Sequence, residues 1–262
     1  MKISLLLPTL GERICELGRL LDSLSKQKYS NYEVVIVSQS HHGMVEDLVR
    51  SFGDIHVAHI PTDRKGLSHA RNIGLRFCTG DIVTLSDDDC WYRPDSLSLI
   101  AQCFANDPEL DCLITQIYDY DNHNYYKRYR KKTKVLTSKV ELMSVSSIEL
   151  SFKRACFTKD FDERFGLGSG LYLSCEEVDF LLSNFDKGKK IVYEPIVTVY
   201  HPRKPRLKND SWAFAKGALY AKHANLLISH AVLIRDLLVK HENNYRSFMA
   251  GYRHYRENEG RA

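Results

Sequence analysis

Three consecutive carboxylates, Asp87-Asp88-Asp89, stand directly after the apolar run DIVTLS at 81–86. Packed carboxylates repel one another, so three side by side ask for something positive to hold. Oxygen donors at a strand end suit hard cations such as Mg2+ or Mn2+. These ions often take one or two carboxylates and fill their shell with substrate phosphates. A structural calcium cage would want more ligands at loop spacing. The plain alternative is a turn of solvated aspartates capping the next helix. A second acidic group, Glu176-Glu177-Val178-Asp179, contains two adjacent carboxylates that can raise one another's pKa and share a proton. Its plain alternative is a set of helix N-terminal acids stabilised by the dipole.

The elements that must position these groups alternate. ISLLL (3–7), EVVIV (33–37), IHVAHI (55–60) and DIVTLS (81–86) read as buried strands. Leu17, Leu20, Leu21 and Leu24 recur at helical spacing between the first two, and a helix over 44–52 precedes the third. Leu67, Ala70, Ile73 and Phe77 form one helical face, with Gly80 as its stop. Repeated βαβ units predict an α/β fold: a mostly parallel sheet with helices on both faces. Ligands of such sheets sit beyond the carboxyl ends of the strands. That edge gathers Pro8-Thr9, Ser38-Gln39 and the aspartate triplet.

The second half is less regular. Residues 118–134 interleave aromatics with six lysines and arginines and read as a mobile, solvated loop. KIVYEPIVTVYHP (190–202) reads as strand, turn, strand, and the chain turns helical from Trp212, with apolar pairs at Leu226-Leu227, Val232-Leu233 and Leu237-Leu238.

With 262 residues, 44% apolar and 27% charged, the chain suits one large globular domain and is not disordered. The net charge of +4 fits anionic small molecules or a membrane surface and is too weak to imply nucleic acid. Seven cysteines form no CxxC pair, so the expectation is reduced thiols in a cytoplasmic protein. Pro8 ends the first apolar run too early for a signal peptide, and no stretch approaches the roughly 18 residues of a membrane span.

Taken in order, ISLLLPTLGER, KGLSHARNIG, TGD at 79–81, the Asp87–Asp89 triplet with Pro94-Asp95, FDERFGLGSG, CEEVDFLL and KKIVYEPIVTVYHP resemble the family 2 glycosyltransferases of the GT-A fold. The likeness covers about residues 1–205. It implies a GT-A (Rossmann-like) domain over 1–205, with a nucleotide-sugar half at 1–115 and an acceptor half at 116–205. A C-terminal helical extension follows at 206–262. It implies a nucleoside-diphosphate sugar, UDP-linked by preference, lying across the strand ends. Pro8, Thr9 and Gln39 would flank the base, Lys65 and Arg71 would reach base or diphosphate, and Asp87 or Asp88 the ribose. Asp89 would bind Mn2+ or Mg2+, with His201 as a further metal or phosphate contact. Glu177, with Glu176 behind it, would be the base of an inverting transfer to a hydroxyl of a glycan or lipid-linked acceptor, in bacterial surface polysaccharide assembly.

Two departures stand out. The second strand ends Ser38-Gln39-Ser40 where the family has an acidic pair, and Leu10-Gly11-Glu12 replaces an Asn of the opening motif. A glutamine carbonyl can accept the hydrogen bond that a carboxylate would. The basic loop 127–134 and the C-terminal helices offer peripheral contact with an anionic membrane; the same helices could instead pack on the core or on a second subunit to give a homodimer. Rival readings are a nucleotidyltransferase, which would want a glycine-rich, lysine-bearing loop after strand one, and a catalytically silent nucleotide-sugar binder. Nucleic-acid binding ranks last.

Overall fold

The computed structural model describes residues 1–185, 188–203, 210–224, 228 and 244–259. Strand β1 (Ile3–Thr9) is buried along its whole length and β2 (Tyr32–Ser38) nearly so, which is why both are unbroken apolar runs. β1 pairs in parallel with β2 and with β4 (Ile82–Leu85), and β2 with β3 (Val57–Pro61). Helices α1 (Ile14–Ser25), α2 (His42–Arg50) and α3 (Leu67–Phe77) are the crossovers. Beyond them come the short edge strand β5 (Trp91–Tyr92), helix α4 (Ser96–Asn106) and the long strand β6 (Leu110–Asp119).

The order across the sheet is β3-β2-β1-β4-β9-β6-β10-β5. β9 (Leu150–Lys153) runs antiparallel between β4 and β6, and β10 (Lys190–Tyr200) runs parallel to β6. The mostly parallel α/β sheet expected from the sequence is therefore present, with one antiparallel strand joining its halves. Side chains alternate across it. Leu5, Leu7, Val34 and Ile36 pack with α1 and α4 on one face. Leu6, Val35, Val83 and Phe152 pack with α6 (Glu176–Asn184), α7 (Asp210–His223) and the ring of Tyr255 on the other.

Four local expectations need correction. The buried face of α3 is Ser68, Ala70, Arg71, Asn72 and Gly74, while Phe77 is half exposed. The face is polar because it meets hydrogen-bonding partners: Asn72 Nδ2 donates to the Phe161 carbonyl and its Oδ1 accepts from the Phe161 N–H. Gly80 is not the stop of α3, which ends at Phe77. A Cβ there would lie 2.7 Å from the Lys2 carbonyl, so glycine permits close approach to β1. Residues 190–200 form one strand, not two, with the register shifting between Tyr193 and Val197 so that Pro195 falls in a bulge. Residues 118–134 are tied down rather than freely solvated. β7 (Asn124–Tyr125) pairs with β6 and β8 (Lys134–Leu136) with β10, while Lys127 and Tyr129 both bond the buried carboxylate of Glu149.

α5 (Lys139–Leu142) follows this segment. At the C-terminal end, α7 crosses α8 (Tyr245–Glu259) backbone against backbone. A Cβ on Gly217 would sit 1.9 Å from the Phe248 carbonyl oxygen, and one on Gly251 1.9 Å from that of Phe214. The pair is fastened to the domain: Lys222 and His223 bond the buried Asp179 of α6, and Tyr255 packs against Phe165 and Tyr172. The pairs Leu226-Leu227, Val232-Leu233 and Leu237-Leu238 lie outside the described residues. No helix among the described residues is long and apolar enough to cross a membrane.

Candidate functional site

Parallel pairing brings the carboxyl ends of β1, β2 and β4 to one edge, and side chains join there. The Thr9 hydroxyl donates to Asp88 Oδ2 at 2.6 Å and accepts from the Gly11 N–H at 2.9 Å. Gly11 has φ +70°, and a Cβ would meet the Ser40 carbonyl at 2.8 Å, so the turn after β1 needs glycine. Pro8 is buried within β1 opposite Val37. The Gln39 N–H donates to the Thr9 carbonyl, and its side-chain Oε1 accepts from the Gly66 N–H at 2.6 Å. The one glutamine carbonyl thought free for a base is thus bonded to the motif that starts α3; Lys65, next in line, is exposed.

Arginines from the start of the chain meet the triplet. Arg13 pairs with Asp88 Oδ1 at 2.9 Å and with Asp89 Oδ2. Arg19 lays its guanidinium 3.7 Å over the Trp91 ring and donates to the Asp89 carbonyl at 3.2 Å. Burial raises the Asp88 pKa, as do its two acidic neighbours, against the opposing pull of Thr9 and Arg13.

His201 arrives from the end of β10. Its Nε2 lies 3.0 Å from Asp89 Oδ1, and its Nδ1 lies 2.7 Å from the Pro202 carbonyl oxygen. A carbonyl only accepts, so Nδ1 carries hydrogen. In the neutral ring Nε2 is then a lone pair facing a carboxylate, and something positive must stand between them. In the protein alone that is a proton. Burial works against the imidazolium, yet the bond to and charge of Asp89 raise its pKa above the ordinary 6.5. A metal ligated by Nε2 with Nδ1 held by a carbonyl has the same donor arrangement. Asp89 and His201 therefore fit a divalent ion. They are a pair rather than a cage, since no group of three or more His, Cys, Asp or Glu suited to a metal occurs among the described residues.

Arg71, fully buried, joins the two acidic motifs. It donates to Asp87 Oδ1 at 3.2 Å and to Glu176 Oε1 at 3.1 Å, beneath the Phe161 ring. Its Nε has no hydrogen-bond partner. Glu177 follows Glu176 in the first turn of α6, and burial, then the Glu176 charge, pushes its pKa up to about 8. The segment before α6 is seated on the start of α3: Ser68 Oγ donates to the Phe165 carbonyl and the Leu67 N–H to that of Leu167. Gly166, at φ +101°, leaves only 3.3 Å between a Cβ and Glu176.

The structure thus brings together Thr9 with Asp88, Asp89 with His201, and Arg71 with Asp87 and Glu176. Residues 4–165, well over half of the chain, match glycosyl transferase family 2. The chain belongs to that family. Among curated relatives, a glucosyl-dolichyl phosphate glucuronosyltransferase of Haloferax volcanii is 30% identical over 112 residues, 42% of this chain and 36% of its own. An uncharacterized glycosyltransferase of Haemophilus influenzae is 27% identical over 78% of this chain and 66% of its own. This family 2 chain thus spans little more than a third of the first relative. Among solved structures, residues 1–349 of S. aureus TarS with UDP superpose at TM-score 0.69 and 19% identity, covering 94% of this chain and 74% of that one. The Pyrobaculum calidifontis mannosyltransferase PcManGT, in complex with GDP-Man and Mn2+, superposes at TM-score 0.63 and 18% identity, covering 96% and 73%. At such identity the likeness is one of fold.

Arg13 and Arg19 are the site residues that sequence reasoning missed. Both sit on or just before α1, four and ten residues past Thr9. The available signal was charge balance: a buried acidic triplet needs cations, and these arginines follow the strand that ends beside it.

Proposed function

We propose that the protein is an inverting glycosyltransferase that moves a sugar from a nucleoside-diphosphate donor to a hydroxyl of a glycan or lipid-linked acceptor. The observation that carries it is the facing of Asp89 Oδ1 and His201 Nε2, with Nδ1 pinned by a carbonyl, at the strand-end edge of a family 2 fold. Asp89 and His201 would hold Mn2+ or Mg2+, which when bound supplies positive charge to a departing diphosphate. Pro8, Thr9, Gln39 and Lys65 line the donor side in this reading. Asp87 and Asp88 serve the ribose, and Arg13 and Arg71 keep the acidic edge from repelling an anionic donor.

Glu177 takes the proton of the attacking hydroxyl. Its raised pKa suits that part, since a base is most effective when it titrates near the working pH. Glu176, bonded to Arg71, positions the helix start instead. One base and direct displacement give inversion at the anomeric carbon. The H. volcanii relative's name supports a lipid-linked acceptor. The two solved relatives carry UDP and GDP-Man, so UDP is the first base to try and GDP the second. The exposed basic residues of 128–134 suit an anionic membrane surface near such acceptors.

The test is a thermal-shift screen of nucleotide sugars with Mn2+, Mg2+ or EDTA. One nucleotide sugar should stabilise the protein in a metal-dependent way and be consumed when acceptor is added. Stabilisation by none of them would end the proposal.

A further inference from the structure

Four aromatic side chains lie in one register row across four strands. Trp91 of β5 is opposite Tyr200 of β10, Tyr200 is in register with Tyr118 of β6, and Tyr118 is opposite Tyr125 of β7. Registered residues project from the same face of a sheet. Their ring centroids are 5.7, 6.3 and 5.5 Å apart in that order, and Tyr120 adds a fifth ring 5.3 Å from Tyr200. The rings meet tilted or edge-on and Arg19 covers one face of Trp91, so the open ring surface is chiefly that of Tyr120 and Tyr125. None of the five is buried, and Tyr120 and Tyr125 are 53% and 48% exposed.

We infer that this row is a binding surface for a pyranose glycan, the acceptor in the glycosyl-transfer reading on which the inference rests. A ladder serving only stability would bury its rings. An exposed contiguous aromatic patch marks contact with something else. The chemistry fits sugar: flat rings take the C–H faces of pyranoses, and tyrosine hydroxyls exchange hydrogen bonds with theirs. The ring spacing is comparable with the repeat of a pyranose chain. The row contains no aliphatic side chain that would insert among lipid tails. It also adjoins the site: Tyr200 immediately precedes His201 in the chain, and Arg19 joins Trp91 to the Asp89 carbonyl.

The test uses the full chain on an immobilised array of pyranose glycans, with wild type, the double variant Tyr120→Ala/Tyr125→Ala and Tyr125→Phe. Circular dichroism confirms folding. The wild type should be retained, and Tyr125→Phe, which keeps the ring and loses one hydroxyl, should lose no more than about a few-fold. The double variant should lose about tenfold or more in retention, as expected for two stacking rings removed. Its Mn2+-dependent thermal shift with nucleoside diphosphates should match wild type, which separates a failed row from a failed donor site. Absence of wild-type retention on any glycan overturns the inference, as does equal retention of the double variant. Loss of binding to phosphatidylglycerol vesicles, with glycan retention intact, would assign the row to lipid and also overturn it.

Discussion

Arg71 Nη1 lies 3.1 Å from Glu176 Oε1, so of the two adjacent glutamates the first is held by a buried guanidinium. Glu177 has no ion pair among the described residues, and its pKa rises to about 8. A carboxyl in that state keeps its proton above the ordinary carboxylate range and becomes a base as pH climbs. In the proposed reaction kcat/KM should rise with pH through about 8, and Glu177→Gln should abolish that limb and lower turnover by about 10²-fold or more. Donor binding by calorimetry should be unchanged. By linkage, the excess proton affinity of folded Glu177 favours the fold below 4.5, and this contribution is lost as pH rises toward 8.

Asp89 is gripped from two sides, by Arg13 and by His201. The two substitutions should act oppositely on binding of the metal alone. His201→Ala removes a proposed ligand and should weaken Mn2+ affinity by about tenfold or more. Arg13→Ala removes a tethered competitor and should strengthen it by about two- to fivefold, the worth of a part-exposed ion pair. Isothermal calorimetry with MnCl2 reads both. Equal weakening by the two would show that Arg13 only shapes the loop.

Arg71→Ala should destabilise the fold as well as the site. It strands Glu176 without its cation in a buried position, a cost of about 3 kcal/mol; the part exposure of Asp87 keeps the figure at the low end. Urea denaturation measures it. A combined Arg71→Met/Glu176→Met change, which removes charge from both sides, should recover much of that loss.

Gly217→Ala and Gly251→Ala should each lower the melting temperature, by several degrees for a cost of about 1–3 kcal/mol, because the methyl group meets a main-chain carbonyl that cannot rotate away. Gly43→Ala, with nothing near its Cβ, is the control and should leave the temperature unchanged or raise it.

The parallel half of the fold was legible because Ile3–Leu7 and Val34–Val37 are buried on both faces and so appear as unbroken apolar runs. Asp89, Arg71, Glu177 and His201 were legible as candidates because their motifs are local. Their partnerships were not. Arg13 and Asp89 are 76 positions apart, and no periodicity announces an arginine whose purpose is to balance a distant carboxylate. The buried face of α3 escaped for a related reason. Periodicity weighs apolar residues, whereas Arg71 and Asn72 are buried through hydrogen bonds. Residues 118–134 looked solvated because the group that fastens Lys127 and Tyr129 is Glu149, beyond that segment.

The crossing of α7 over α8 has a mechanical consequence. With main chains touching at Gly217 and Gly251, the pair cannot slide or breathe and behaves as one stiff bracket. One arm of the bracket holds Asp179, two residues past Glu177, and the other clamps Tyr172 through Tyr255 and His254. In the proposed reaction, Glu177 would thus owe part of its rigidity to a helix pair that grips its own helix at Asp179.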